Sequence, residues 1–497
     1  MTQNTEYLLN PDYHFRNDIY RVAMYSGNKV SQRSAQDWMS FVHPVQAEIL
    51  LSFATPHPMS WHYDDLKSKY HLTPEQVNKM IEQYVENEQP VYTQFGKEQI
   101  IFPQNVLLTY DETVKPYSGW RNSNISFECK DIDVSSQRLF TGPQAMTLMM
   151  TSRCVTNCKY CYADKETPYV PMPTKDILRI IDEAKGMGMS YIDVIGGEVF
   201  CHKDWAVILK KLVECELTPS YISTKVPLSE KQVRALKETG YDNVVQLSLD
   251  SLDDLILQEV ICSKPGYAQK MQDSIALLEQ NGFKIQIDTI LTKQTCNKKN
   301  LSDLYAFISS IKNLEYWEMR VPKLSLYHAT SFASVKASRK AIEEARAFVM
   351  EEVKPKANIN ILFSDDALDY SVYKGKADEI YFKGGACGAL QTRRFILPDG
   401  QVSICELTYW NPLFLIGNLR QQSISEVWNS PKARAIYNHE MHMREESRCS
   451  SCKVLDFCQD NRRKCVVKVM QAYGKENWDY PDPRCTFAPE ITSEMKY

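Results

Sequence analysis

The chain has 497 residues, of which 43% are hydrophobic and 24% are charged; these values are typical of a globular protein of about two to four domains. The net charge of -4 and the lack of a basic tract argue against a nucleic-acid partner. No N-terminal signal segment and no run of about eighteen apolar residues is present, so we expect a cytoplasmic protein that does not bind a membrane.

The first 110 residues predict a small module of helices and hairpins. Its predicted elements are a hairpin over residues 13–25, helices over 44–54 and 73–86, and strands over 90–93 and 99–102. The second helix starts with Thr73 as its N-cap and Pro74 at its first position, which is a typical helix start. Helices followed by a hairpin indicate a winged-helix-like module. A DNA-binding winged helix is one interpretation, but its weak basic character argues against DNA.

Residues 143–325 alternate regularly between strand and helix. Strands are predicted over 145–151, 191–195, 220–223, 244–248, 284–291 and 316–321, and helices over 174–185, 205–214, 229–239, 267–280 and 301–311. This alternation predicts an α/β fold with a parallel sheet, specifically a partial (β/α)6 TIM-like barrel. In such a barrel the functional residues lie at the carboxyl ends of the strands.

Two further regions follow the predicted barrel. Residues 326–384 form a linker or bridging region with a charged helix over 333–353 and an extra strand over 359–364. Residues 385–497 are rich in cysteine, glycine and proline. This change in composition predicts a separate small domain that metal stabilises.

Cys154, Cys158 and Cys161 form a CxxxCxxC triplet directly after the first predicted barrel strand. Three thiolates in one loop can hold three irons of a 4Fe-4S cluster and leave the fourth iron for another ligand. A zinc loop is the alternative interpretation. Zinc sites favour two CxxC pairs, however, and this triplet has no second pair of its own.

The other cysteines fall into two groups. Seven lie in the C-terminal region, at Cys387, Cys405, Cys449, Cys452, Cys458, Cys465 and Cys485. Structural zinc is an alternative for these seven, because thiolates in CxxC pairs also suit zinc. The five scattered cysteines, Cys129, Cys201, Cys215, Cys262 and Cys296, are predicted to be buried core residues.

With Tyr160 before its last cysteine, the triplet resembles the CxxxCxΦC signature of radical S-adenosylmethionine (radical SAM) enzymes. Gly196-Gly197-Glu198, at the end of the second predicted strand, resembles the GGE motif of the same family. Glycines let a backbone approach a ligand closely, and the resemblance implies that the Glu198 carboxylate takes the methionine ammonium of the cofactor. An ordinary turn is the alternative for these three residues.

The resemblance implies further cofactor contacts at the strand ends. The candidates are Ser223, Thr224, Ser248, Asp250, Leu291 and Arg320. Helix capping or turn formation is the structural alternative for the serine, threonine and aspartate positions. Relatives often carry an arginine about a dozen residues after the position of Asp250. This chain has no arginine there, and Lys264 is the candidate substitute for the contact with the cofactor carboxylate.

The C-terminal cysteines resemble the SPASM domain of peptide-modifying radical SAM enzymes, although six residues separate Cys458 from Cys465 where that pattern normally has three. The resemblance implies two auxiliary 4Fe-4S clusters, and therefore three clusters in total. The first would bind Cys387, Cys405 and Cys465, and the second would bind Cys449, Cys452, Cys458 and Cys485. With only three cysteines, the first is predicted to have an open or non-cysteine-ligated iron that can receive a substrate thiolate.

Glu406 directly follows Cys405, where sulfatase-maturing relatives carry an acidic residue that serves as a base. The resemblance therefore makes Glu406 a candidate catalytic residue, since proton removal needs a carboxylate close to the substrate. Contact with solvent or with a lysine is the structural alternative for this side chain.

The N-terminal module resembles the precursor-recognition element of ribosomal peptide maturases, which adds a leader peptide to a sheet edge as an extra strand. The resemblance as a whole implies a peptide maturase in which the reduced triplet cluster cleaves S-adenosylmethionine to a 5′-deoxyadenosyl radical. An electron donor such as flavodoxin or ferredoxin would reduce the cluster.

A thioether crosslink is the first predicted product, because the open auxiliary iron can bind the sulfur. A carbon-carbon crosslink is the second prediction, and a formylglycine-type oxidation, as in sulfatase maturation, is the third. The non-enzyme alternative is a DNA-binding iron-sulfur sensor that uses the winged helix.

Overall fold

A computed structural model describes residues 2–27, 33–35, 38–115, 127, 130–365, 387–460 and 464–492. The chain divides into two compact units, Met1–Gly142 and Pro143–Tyr497. Cys129 and residues 366–384 of the predicted bridging region lie outside the described residues. In the ranges just given, no helix is long and apolar enough to cross a membrane.

The first unit contains short strands and three helices in its described part. The strands are β1 (Tyr7–Leu9), β2 (Tyr13–Asn17), β3 (Val22–Ser26), β4 (Met39–Val42), β5 (Val91–Phe95), β6 (Glu98–Phe102) and β7 (Leu107–Thr109), and the helices are α1 (Pro44–Leu51), α2 (Met59–Tyr70) and α3 (Pro74–Ile81). β2, β3 and β4 form an antiparallel sheet, β5 pairs with β6, and β1 pairs with β7. The predicted first hairpin forms as β2 and β3, and the predicted second strand pair forms as β5 and β6.

Helix α2 was not among the predicted elements, although its buried residues follow helical spacing. Met59, His62, Tyr63 and Leu66 are buried at positions i, i+3, i+4 and i+7, but a histidine counts as polar when periodicity is read from sequence. The His62 ring stacks on Phe53 with centroids 3.9 Å apart. Burial lowers the pKa of His62 to about 4, so the neutral ring packs as an aromatic core residue.

Helix α3 starts at the predicted cap and ends earlier than predicted. Thr73 Oγ1 accepts a hydrogen bond from Gln76 N at 3.3 Å, and Gln76 Oε1 accepts one from Thr73 N at 2.8 Å. These two bonds form a capping box, which satisfies free donors at the helix start. The α-helix ends at Ile81, and one tighter turn continues to Tyr84.

A fully buried ion pair joins the segment before residue 142 to the rest of the first unit. Arg21 Nε lies 3.0 Å from Asp18 Oδ2, and neither side chain is exposed. Asp18 Oδ1 also accepts hydrogen bonds from Phe140 N at 2.8 Å and Thr141 N at 2.9 Å. Buried charges need such partners. Because the Asp18 carboxylate binds the backbone of Phe140 and Thr141, the first unit extends past residue 110.

The second unit contains the remaining strands and helices. The strands are β8 (Ala145–Met149), β9 (Tyr191–Ile195), β10 (Tyr221–Thr224), β11 (Val244–Ser248), β12 (Ile285–Ile290), β13 (Leu314–Arg320), β14 (Ile361–Ser364), β15 (Arg393–Ile396), β16 (Gln401–Ser403) and β17 (Leu415–Asn418). The helices are α4 (Thr174–Gly186), α5 (Trp205–Glu214), α6 (Glu230–Glu238), α7 (Asp254–Ile261), α8 (Tyr267–Gln280), α9 (Lys298–Ile308), α10 (Ala329–Ala333), α11 (Arg339–Ala347), α12 (Ile424–Trp428), α13 (Pro431–Tyr437), α14 (Leu455–Asp460) and α15 (Val466–Tyr473). The predicted charged helix over 333–353 forms as α11 and a following π-helical segment, Phe348–Val353.

The strands of the second unit form one sheet in the order β14-β13-β12-β11-β10-β9-β8-β15-β16-β17. Neighbours from β14 to β15 run parallel, and β16 and β17 continue the sheet in antiparallel fashion. The predicted α/β fold with a parallel sheet is confirmed, and the six predicted strands are β8 to β13. The sheet is larger than the six predicted barrel strands: β14, which is the extra strand predicted over 359–364, extends it at one edge, and β15, β16 and β17 extend it at the other.

The two faces of the parallel sheet differ in polarity. One face packs into the main core through apolar residues at alternate positions, among them Val194, Ile222 and Leu247. The intervening positions carry polar residues such as Gln246 and Asp288. Parallel strands are usually apolar on both faces because helices cover both. A polar face at this place therefore indicates a binding or reaction site.

Candidate functional site

The cysteine triplet lies in the loop that follows β8, at the carboxyl end of the parallel strands. The Thr156 hydroxyl is the common neighbour of two of its sulfurs, since its Oγ1 lies 3.5 Å from Cys154 Sγ and 3.3 Å from Cys158 Sγ. Burial raises the pKa of Cys158 to about 11, and the positive charge of Lys225 opposes this rise. A metal centre would favour the thiolate form here, because bound metal removes the thiol proton.

Helix α7 holds the middle of the triplet loop. Asn157 N donates to Ile261 O at 3.0 Å, and Lys159 N donates to Val260 O at 3.0 Å. The last carbonyls of a helix lack partners within the helix, so the loop satisfies them. This helix was not predicted, although Asp253 caps its start by accepting from Leu255 N at 2.8 Å.

Gly196 and Gly197 make room for the backbone of the triplet loop. A Cβ on Gly197 would lie 2.3 Å from Ser152 O and 2.5 Å from Arg153 O. Gly197 N donates to Thr151 O at 2.7 Å, and a Cβ on Gly196 would lie 2.9 Å from the same oxygen. The two glycines therefore let the loop and the end of β9 lie in direct backbone contact.

Glu198 is a buried carboxylate with several hydrogen-bond donors around it. It is 3% exposed; its Oε1 accepts from Thr224 Oγ1 at 3.0 Å and from Phe200 N at 3.3 Å, and its Oε2 accepts from Lys225 N at 2.9 Å. Burial raises the pKa of Glu198 to about 6, so the carboxylate is mostly ionised at neutral pH. A buried anion of this kind is suited to binding a cation.

Tyr160 and Asp250, both predicted site residues, meet beside the triplet. The Tyr160 hydroxyl donates to Asp250 Oδ2, and Ile290 N donates to Asp250 Oδ1 at 2.9 Å. Lys225 Nζ lies 3.5 Å from Asp250 Oδ2 and 5.4 Å from the centroid of the Tyr160 ring. An acid, a phenol and an ammonium are thus grouped next to Cys158.

Lys225 is a site residue that the sequence analysis missed. Its Nζ is buried and makes no hydrogen bond to any described residue. Burial lowers the pKa of this ammonium, but the negative charges of Asp250 and Cys158 more than compensate, so the pKa is raised. A buried ammonium has three donors, and those of Lys225 are placed to meet an anionic group. The sequence signal was a lysine directly after the end of β10.

Lys264, the predicted cation for the cofactor carboxylate, lies exposed between α7 and α8. Within the described ranges, no hydrogen bond or ion pair joins it to Glu198 or Asp250. The structure thus brings Lys225, and not Lys264, to this group of side chains, and the role of Lys264 stays a prediction.

The remaining cofactor candidates have different surroundings. Ser248 Oγ accepts from Gln246 Nε2 at 3.2 Å, Ser223 is half-buried at the end of β10, and Leu291 is fully buried in the main core. Arg320 forms ion pairs on the polar face, with Nε 2.9 Å from Asp288 Oδ2 and Nη2 2.7 Å from Glu318 Oε2. Of the predicted strand-end residues, Thr224 and Asp250 therefore join the group around Glu198 and Lys225.

Glu406 lies within electrostatic range of Asp193 and Arg320. It is exposed to solvent, yet desolvation by the surrounding protein raises its pKa; the charges of Lys323 and Arg320 oppose this rise, and that of Asp193 adds to it. Glu406 is also the main cause of the raised pKa of Tyr162. Because Tyr162 directly follows Cys161, the candidate base and the triplet loop face the same region.

The C-terminal cysteines surround two cavities. Cys387, Cys405 and Cys465 line a cavity of about 130 Å³, and Cys449, Cys452, Cys458 and Cys485 line one of about 40 Å³. Cys449 and Cys458 contribute to both cavities. Burial raises the pKa of Cys405 to about 12, and the charges of Glu406, Cys465 and Cys387 add to this rise. We call these cysteines the first set and the second set.

The thiols of both sets lie on the walls of cavities, which leave space between them for a bound group. Zinc holds sulfur at about 2.3 Å, so its thiolates crowd around one point. A four-iron cluster has a larger body and holds its cysteines further apart, which suits thiols on the walls of a cavity.

Comparisons with known proteins agree with this geometry. The radical SAM superfamily matches residues 148–307, which include the triplet, Glu198 and Asp250. The iron-sulfur cluster-binding domain SPASM matches residues 387–453. The chain thus contains one region that matches the radical SAM superfamily and one that matches the SPASM domain. Cys458, Cys465 and Cys485 lie beyond the matched part of the SPASM domain.

Relatives and solved structures extend the likeness. The PqqA peptide cyclase of Granulibacter bethesdensis is 23% identical over 353 residues, covering 70% of this chain and 88% of that protein. That of Methylorubrum extorquens is 24% identical over 358 residues, covering 70% and 86%. SuiB of Streptococcus suis bound to precursor peptide SuiA covers 97% of this chain and 100% of its own, with 18% identity and a TM-score of 0.59. SuiB bound to S-adenosylmethionine gives 16% identity and a TM-score of 0.61. This chain thus shares the fold of SuiB.

Replacing Gly197 with alanine should displace the triplet loop, because the new Cβ would overlap two backbone oxygens. We expect the iron bound after anaerobic reconstitution to fall by about four atoms per chain, the content of one cluster. Gly186→Ala is the matched control, since a Cβ there meets nothing within 4 Å. Iron analysis of the two variants checks this, and equal iron contents would contradict it.

Proposed function

We propose that this protein is an enzyme that modifies a ribosomally made precursor peptide with S-adenosylmethionine and three 4Fe-4S clusters. The observation that carries the proposal is the buried group of Glu198, Lys225 and Asp250 beside the cysteine triplet. The names of the PqqA peptide cyclases and the SuiB structure with its precursor peptide support a peptide substrate. A reductant such as flavodoxin or ferredoxin is part of the proposal.

The cofactor site has complementary charges for an amino-acid zwitterion. Cys154, Cys158 and Cys161 would hold the triplet cluster, Glu198 would bind the cofactor ammonium, and Lys225 would bind its carboxylate. When bound, the cluster and S-adenosylmethionine supply a 5′-deoxyadenosyl radical that abstracts a hydrogen atom. Asp250 fixes the Lys225 ammonium at 3.5 Å, and burial of this group keeps water away from it.

The substrate residue would lie against the polar face of the sheet, between Tyr162 and Glu406. Glu406 is the proposed proton acceptor, since a base must reach the proton that it removes. Its raised pKa brings the carboxylate closer to the range where proton transfer is efficient. Arg320, which Asp288 and Glu318 hold in place, would position the peptide.

The first unit would bind the leader of the precursor. Its sheet β2-β3-β4 has two edge strands, and an edge strand offers backbone donors and acceptors to an added strand. Such binding depends mainly on backbone hydrogen bonds and therefore tolerates varied leader sequences.

A thioether is the proposed product, formed between a cysteine sulfur and a carbon of another residue. The first set offers three cysteines, so an iron held there has a position for a substrate thiolate. Forming this bond removes two hydrogen atoms from the precursor: the carbon would give its hydrogen atom to the 5′-deoxyadenosyl radical, the thiol would give its proton to Glu406, and the remaining electron would pass to an iron-sulfur cluster. A carbon-carbon crosslink is the second candidate, which the cyclase name of the relatives supports.

Lys225→Met should weaken binding of S-adenosylmethionine about ten-fold or more, because it removes a hydrogen bond between charged groups. Lys264→Met is the matched control. We expect it to change the dissociation constant by less than about two-fold, because Lys264 is exposed and exposed charges contribute little. Equilibrium binding to the reconstituted full chain measures both. If Lys264→Met weakened the binding of S-adenosylmethionine more than Lys225→Met did, the result would favour Lys264 as the residue that binds the cofactor carboxylate.

Replacing Cys154, Cys158 and Cys161 together with alanine should abolish formation of 5′-deoxyadenosine by the dithionite-reduced protein. The iron bound by the two cysteine sets should remain, because the cavities that these sets line do not include the triplet. Cleavage that persists in this variant would refute the proposed site. An unaltered protein that forms no 5′-deoxyadenosine would favour the DNA-binding sensor.

The crosslink type can be read from the reacted precursor, which is to be sought among the short open reading frames next to this gene. We expect the peptide to lose two hydrogen atoms and one alkylatable thiol, as measured by mass spectrometry before and after iodoacetamide. The same mass loss with every thiol still alkylated would indicate a carbon-carbon crosslink. A precursor variant with serine in place of the consumed cysteine is the control and should stay uncrosslinked.

A further inference from the structure

Lys464 lies where the two cavities of the cysteine-rich region adjoin. Four residues line both the cavity of about 130 Å³ and the cavity of about 40 Å³, namely Cys449, Leu455, Cys458 and Lys464. Lys464 also directly precedes Cys465 of the first set in the chain. Its ammonium lies within electrostatic range of the thiols of Cys449 and Cys458 in the second set. One cation is therefore close to both cysteine sets.

No neighbouring carboxylate balances the positive charge of Lys464. Its Nζ donates to the backbone oxygen of Asp479 at 3.3 Å, whereas the carboxylate of Asp479 binds Arg444. Asp482 lines the smaller cavity, but its carboxylate forms an ion pair with Arg484 at 2.9 Å. Within the described part of the chain, no carboxylate forms an ion pair with Lys464. This ammonium is therefore an uncompensated charge on the walls of both cavities.

Fixed charges near an iron-sulfur cluster change how readily the cluster is reduced. Reduction adds one negative charge, so a nearby cation stabilises the reduced form and raises the reduction potential. The larger cavity has apolar walls at Ile404 and Phe414, and the smaller one has apolar walls at Val454 and Pro481. Because apolar surroundings screen a charge less than water does, the charge of Lys464 acts strongly on a group bound in either cavity.

The proposed crosslinking reaction needs a cluster that accepts an electron. After the carbon has lost its hydrogen atom and the thiol its proton, formation of the carbon-sulfur bond leaves one electron over. Cys405 of the first set directly precedes Glu406, the proposed proton acceptor, so the first auxiliary cluster would lie near the place where this electron is released. A cluster takes up the electron more readily when its reduction potential is higher.

We propose that Lys464 raises the reduction potentials of both auxiliary clusters and thereby enables them to take up the electron that crosslinking releases. The residue acts through its charge and does not bind iron, because an ammonium has donors and no acceptor. This inference rests on the proposed clusters. It gives a role in the reaction to a residue outside the cofactor site and the proposed substrate site.

The test uses the anaerobically reconstituted full chain with Cys154, Cys158 and Cys161 replaced by alanine, so that only the two auxiliary clusters contribute. A redox titration followed by EPR at constant pH measures their midpoint potentials. Lys464→Gln keeps a donor for the Asp479 carbonyl but removes the charge, and we expect both potentials to fall. Lys464→Arg keeps the charge and should have potentials close to those of the parent.

Lys453→Gln is the matched control. Lys453 directly follows Cys452 of the second set, but it is exposed and lines neither cavity, so its removal should leave both potentials unchanged. Equal potentials in Lys464→Gln and the parent, or an equal fall in Lys464→Gln and Lys464→Arg, would overturn the inference about Lys464 alone. Loss of cluster iron in Lys464→Gln would assign the residue to cluster assembly and would also overturn it. Iron for only one auxiliary cluster in the parent would overturn both this inference and the proposed cluster content.

Discussion

The close backbone contact between the triplet loop and Gly196-Gly197 is the constraint on which the site depends. Because no side chain separates these segments, the cysteines are placed directly at the end of β9, next to Glu198. Backbone hydrogen bonds to the last turn of α7 hold the other side of the loop. The loop is thus fixed from both sides by groups that do not belong to its cysteines. A cluster site built in this way is organised by the fold before any metal binds.

Electrostatics provides the second organising principle. Two buried carboxylates, Glu198 and Asp250, lie near the buried ammonium of Lys225 beside the cysteine loop. Each charge is costly by itself in this environment, and the three are tolerable because opposite charges lie close together and both carboxylates accept hydrogen bonds. The polar face of the parallel sheet carries further charges, because Arg320 forms ion pairs there with Asp288 and Glu318. Charged residues on a face where helices usually pack lower the stability of the sheet, and they provide a polar surface for binding.

Much of the fold was predictable, because strand and helix periodicity is strong where apolar residues pack against helices. The six strands β8 to β13 follow from that signal. Helix α2 was missed because one of its buried positions is a histidine, and α7 was missed because it has only eight residues. In the site, the triplet is a local pattern, whereas Cys387, Cys405 and Cys465 are far apart in the chain, and only the fold brings them to one cavity. The family resemblance led to Lys264 as the candidate cation, whereas the position of Lys225 depends on the meeting of β10 with the triplet loop, which no local pattern encodes.

The pairing of β15 with β8 has a mechanical consequence. A strand from the cysteine-rich region is hydrogen-bonded to the strand that leads into the triplet loop, so the two regions cannot hinge apart without breaking a sheet. Glu406 follows β16, which pairs with β15, so the same sheet positions Glu406 and the triplet loop. The same pairing protects β8 from being an exposed edge, which would otherwise invite aggregation. The cysteine-rich region is thus a structural part of the barrel and not an appendage that could be gained or lost independently.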